Sequence, residues 1–107
     1  MVGYYQGSKA AILDMLYHSD LKAARDVHLG RDKRDVEVLK SQFISGLERA
    51  IKQKPDFDAV TTETLHELIK LAQHDWDDIN TLKALFRRIH EIRYWHPVNE
   101  YKEFEGK

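Results

Sequence analysis

Six histidines and no cysteine in 107 residues set the first chemical question. Glu63-x-x-His66 is half of a di-iron helix signature, in which a carboxylate and an imidazole project from one helical face. The full site needs a second such pair and two further glutamates on facing helices, and no second Glu-x-x-His occurs. His74 and Asp78 stand four apart but span a region that reads as a turn, where capping and solvation account for both. His74-Asp75 would act as a metal-binding dyad only with further His and Asp ligands, and His18, His28 and His66 are scattered. No metal site and no cofactor are expected.

Covalent catalysis finds equally little. Without cysteine there is no thiolate nucleophile, and disulfides are excluded. Ser8 and Ser19 fall where helix caps are expected, Ser41 and Ser45 fall along a long helix, and no glycine-rich phosphate loop is present. The expected class is a non-enzyme.

Two basic groups remain. Arg31, Lys33 and Arg34 cluster ahead of one helical run. Arg87, Arg88 and Arg93 stud the last one, with His90, Tyr94, Trp95 and His96 nearby. Clustered cations neutralise phosphates and aromatic rings stack on bases, so a nucleic-acid-binding regulator is one expectation. Against it stand an isoelectric point near 6.6 and no compact helix-turn-helix with a polar recognition helix. Trp, Tyr and Arg are also the residue types that dominate protein interfaces. The preferred expectation is therefore a non-catalytic protein binder of inhibitor, immunity-factor or adaptor type. Its contact residues would be Arg87, Arg88, Arg93, Tyr94 and Trp95, and self-association through that face is a variant. Nucleic-acid contact through Arg31, Lys33 and Arg34, together with the arginines of 87–93, is the alternative.

The elements that must position these groups read as helices. A third of the residues are charged, the formal net charge is −1, and there are two prolines and five glycines. Helix formers dominate and strand-like alternation is nearly absent, which argues for an all-α domain. The small net charge hides a pattern: residues 22–54 sum to +4, 55–80 to −6 and 81–107 to +2. Neighbouring helices of opposite sign, or a bipolar surface that steers a charged partner, would both produce it. No apolar run approaches the roughly 18–20 residues that span a bilayer. The start, MVGYYQGSK, lacks a basic stretch followed by an apolar core, so no signal peptide and a cytoplasmic location are expected.

Residues 77–96 carry the clearest pattern. Leu82, Leu85, Ile89 and Ile92 recur at spacings of three and four, with Ile79 and Phe86 flanking them, and Pro97 supplies a stop. Residues 9–28 place Ile12, Leu13, Leu16, Ala23, Ala24 and Val27 on one face. Asp20 interrupts that stripe, so Ser19 or Asp20 could instead cap a separate helix, and Gly30 is placed to close the segment. Residues 31–54 are the longest run, capped by Asp32 or Asp35, with Val36, Leu39, Phe43, Leu47 and Ala50 inward and Ile44 and Ile51 alongside. Gly46 within it suggests a close helix crossing, and Pro55 ends it. A fourth helix runs to Gln73 from a cap at Thr61 or Thr62, or one turn later at Thr64. The short link that follows predicts an antiparallel hairpin with the last helix. The expected architecture is a single all-α domain over 1–107, a bundle of four to five helices. Residues 1–7 form an irregular lead-in, and a charged and aromatic tail, 97–107, docks through Tyr101 and Phe104 or stays flexible.

Overall fold

Apolar residues at helical spacing build every element of the computed structural model, which describes residues 9–52 and 60–94. The expectations for the lead-in, the Ser8 cap, the Pro55 stop, His96, the tail, Trp95 and the side chains of Arg93 and Tyr94 lie outside the described residues. Helix α1 spans Lys9–Leu16, continues through a π segment Tyr17–Leu21, and runs on as α2, Lys22–His28. Leu16 and Lys22 at the two junctions both have right-handed helical backbones, so the chain never leaves helical geometry. The Lys22 amide reaches back five residues to the Tyr17 carbonyl, which defines the wide turn.

The alternative of a new helix capped by Ser19 or Asp20 is thereby corrected. The Ser19 hydroxyl lies 2.9 Å from the Met15 carbonyl and donates back to the preceding turn instead of capping the next one. Asp20 is buried inside the run. At the far end Gly30 adopts φ +78°, its amide bonds the Val27 carbonyl, and the Arg31 amide bonds that of Asp26. That is a Schellman closure, which places glycine at the one left-handed position.

Helix α3, Val36–Ile51, starts five residues later than the run beginning at Arg31 would suggest. Asp32 is occupied by Arg34, and the Asp35 carboxylate takes the Glu37 amide at 2.9 Å, so Asp35 is the cap. Helix α4, Thr62–Ala72, is capped by Thr61, whose hydroxyl accepts the Thr64 amide; the start one turn later is not used. In the link 73–78, Asp75 accepts the Asp77 amide and Asp78 the Asn80 amide, and α5 then spans Ile79–Tyr94.

The expected stripes face inward. Leu82, Leu85, Phe86, Ile89 and Ile92 of α5 are buried with Leu39, Phe43, Leu47 and Ala50 of α3 and Leu65, Leu68 and Ala72 of α4. They join Leu13, Leu16, Tyr17 and Leu21 in one apolar cluster. Ile79 departs from its stripe and is exposed at the first turn of α5. Helix α3 packs against both α1 and α4, α4 against α5, and the π segment touches α3 and α5. A radius of gyration of 13.4 Å matches the value of about 13 Å for a compact fold of this length. The architecture is all-α, with no strand among the described residues. No described helix is long and apolar enough to cross a membrane.

Candidate functional site

Of the five residues expected on the contact face, Arg87 and Arg88 have described side chains, and both meet carboxylates. Arg88 bonds Glu67 of α4 at 2.9 Å and approaches Glu91 at 3.6 Å. Arg87, the more exposed of the two, also approaches Glu91 at 3.6 Å. Glu91 thus bridges two arginines one turn back along its own helix, and Arg88 ties α5 to α4. Such pairs at the surface contribute little stability, but they fix where long side chains point.

In the alternative cluster, Arg34 is gripped by Asp32. Its guanidinium lies 2.6 Å from the carboxylate and its backbone amide donates to the same group. These donors hold the Asp32 carboxyl down to about 2, and Asp32 in turn raises the Arg34 pKa. Arg31 and Lys33 are exposed on the same loop. The cluster is therefore less basic than its sequence suggests.

The histidines do not converge. Glu63 and His66 both lie exposed on α4, and no group of three or more His, Asp or Glu placed for a metal occurs among the described residues. His28 Nε2 sits 2.8 Å from the Trp76 carbonyl; a carbonyl only accepts, so that nitrogen carries a proton. Buried His90 stacks edge-on against Tyr17 with ring centres 4.6 Å apart.

A different place brings polar side chains together. A cleft of about 370 Å³ lies between the π segment and α3, lined by Met15, Leu16, Ser19, Asp20, Ser41, Gln42, Ser45, Gly46 and Arg49. It exists because Gly46 lets Leu16 press onto α3: a methyl group at Gly46 would collide with Leu16 Cδ2 and lie 2.8 Å from Cδ1. One turn beyond that crossing, the wide π turn sets Asp20 at the cleft with 3% of its surface exposed. Burial pushes its carboxyl pKa up, against the smaller opposing pulls of the Ser19 hydroxyl and the Arg34 charge.

Sequence reasoning passed over this cleft. Its one legible signal was Asp20 within an apolar stripe, and Ser19, Ser41 and Ser45 carried none. No family model matches the chain, and no curated protein and no solved structure is similar to it.

Proposed function

We propose that this chain is a non-catalytic helical protein that binds another protein, as an inhibitor, immunity factor or adaptor, from within the cytoplasm. The contact face is the outer surface of α5 around Arg87 and Arg88, continued by Arg93, Tyr94 and Trp95, on an antiparallel hairpin of the last two helices. One observation carries this choice over nucleic acid. Arg34, Arg87 and Arg88 each already face a carboxylate, in Asp32, Glu91 and Glu67. Phosphates would have to displace those carboxylates and approach their charge. A protein surface of mixed sign can match the same network without breaking it.

The test is capture of partners from the native host by the tagged full chain, beside an Arg87→Glu/Arg88→Glu variant. A stoichiometric protein partner is expected with the wild type, and loss of at least 100-fold in affinity with the variant, at an unchanged helical circular dichroism spectrum. Equal capture by both would remove this face from consideration. Retardation of labelled DNA or RNA that falls steeply with salt would replace the protein reading with the nucleic-acid one.

A further inference from the structure

We propose that the cleft between the π segment and α3 binds an organic cation, an ammonium or guanidinium on a short alkyl stem, with the Asp20 carboxylate as its counter-ion. The site lies on other elements than the α5 arginines and does not depend on the protein-binding role.

The warrant is a shortage of donors. An ionised carboxylate offers about four acceptor positions. Among the described residues the hydrogen-bond donor to Asp20 is Ser19 Oγ, at 3.3 Å. That hydroxyl has one proton, and the Met15 carbonyl competes for it at the shorter distance of 2.9 Å. Asp20 is thus a largely buried carboxylate whose hydrogen bonds within the protein amount to, at most, part of one, with the Arg34 charge as a smaller pull on it. A buried charge in that condition is costly unless a donor or a cation reaches it. Burial is also what raises the Asp20 pKa, against the smaller pulls of Ser19 and Arg34.

The rest of the lining suits such a guest. Ser41, Gln42 and Ser45 offer hydroxyl and amide oxygens to the remaining N–H groups of the cation, while Met15 and Leu16 give an apolar wall for its methylenes. The volume falls at the lower end of the roughly 300–1,000 Å³ typical of small-molecule sites. Arg49 also lines the cleft and is solvent-exposed, and the cation whose charge bears on the Asp20 carboxyl is Arg34, not Arg49. The exposed charge of Arg49 is open to solvent and to screening by salt. The π turn fits a binding role as well, since insertions of this kind recur at functional sites.

The experiment is an amide NMR titration of the full chain with n-butylammonium and n-butylguanidinium chloride, using sodium chloride at matched ionic strength and n-butanol as controls. Saturable shifts are expected at Ser19, Asp20, Ser41 and Ser45, with a dissociation constant on the order of 1–10 mM for so small a probe. Asp20→Asn should weaken binding at least tenfold. Ser45→Leu, which fills the cleft and leaves the carboxylate in place, should abolish it. Shifts that do not saturate, equal binding of n-butanol, or undiminished binding by both variants would overturn the proposal. Nα-acetyl-lysine methylamide distinguishes the source of the cation: tighter binding than n-butylammonium identifies a side chain of a protein, and equal binding a free amine.

Discussion

Asp20 occupies a position that hydrophobic periodicity assigns to an apolar side chain, and its chemistry shows the cost. Its carboxyl pKa is higher in the folded chain than in the unfolded one, so the folded state holds the proton more tightly. The stability this contributes is fully present below the unfolded value of about 3.9 and is lost as pH rises through the folded value. Asp32 has the opposite sign. Its pKa is lowered to about 2, so its contribution is present above the unfolded value and disappears as pH falls through the folded one. Asp20→Asn, which keeps the shape and removes the buried charge, should therefore raise stability at pH 7. The gain should vanish below about pH 3.9. Urea denaturation of both proteins across pH 3–8 checks the difference and its sign. The sequence showed that Asp20 was out of place. It could not show that the carboxylate stays inside the helix, because capping and burial begin from the same residue type.

At the scale of elements, the α1–α3 crossing depends on one missing methyl group. Alanine at Gly46 would gain about 1 kcal/mol of helix propensity. Its Cβ, however, would collide with both Cδ atoms of Leu16 and lie 3.1 Å from Cγ, so the whole side chain must move, not one flexible tip. Overpacking of this kind costs about 1–3 kcal/mol. Gly46→Ala should be net destabilising by about 1 kcal/mol. In a Leu16→Ala background, where the space has been vacated, the same substitution should become stabilising. A double-mutant cycle by chemical denaturation reads the reversal; equal effects in both backgrounds would place the strain elsewhere. The close crossing was legible from Gly46 within a strong helical run and the closure at Gly30 from residue type and position, while residue type left the α4 cap open among Thr61, Thr62 and Thr64. The π turn was not. Its wide hydrogen bond compensates an inserted residue between two packed faces, and the faces exist only once the neighbouring helices are in place.

For the molecule as a whole, Trp76 is the junction. It is fully buried in the link between α4 and α5, its indole N–H donates to the Ala72 carbonyl at 2.9 Å, and its own carbonyl bonds His28 of α2. Its ring meets Phe43 of α3 edge-on at 5.6 Å. Three helices, α2, α3 and α4, thus meet at one residue, and Lys40 of α3 adds a bond to the Gln73 carbonyl at the end of α4. Trp76→Ala should cost about 3–5 kcal/mol. Trp76→Phe should cost roughly 1–2 kcal/mol, through the unpartnered Ala72 carbonyl and the unfilled volume. Thermal unfolding followed at 222 nm would show both; a loss under about 1 kcal/mol for the alanine variant would mean that the link tolerates removal of its anchor.

Sequence by itself determined the helical class, three of the inward stripes, the glycine closure at Gly30 and the absence of thiol chemistry. Each of these depends on spacing or composition within one segment, where local periodicity and backbone preference act alone. Tertiary structure decided which charges are spoken for and where polar groups meet. Arg88 finds Glu67 across 21 residues, and Asp20 shares a cleft with Ser41 and Ser45 because α1 and α3 cross at Gly46. Coulomb attraction, desolvation and hydrogen bonding depend on distance in space. Residues far apart in the chain acquire that distance only when the apolar stripes have closed on one another.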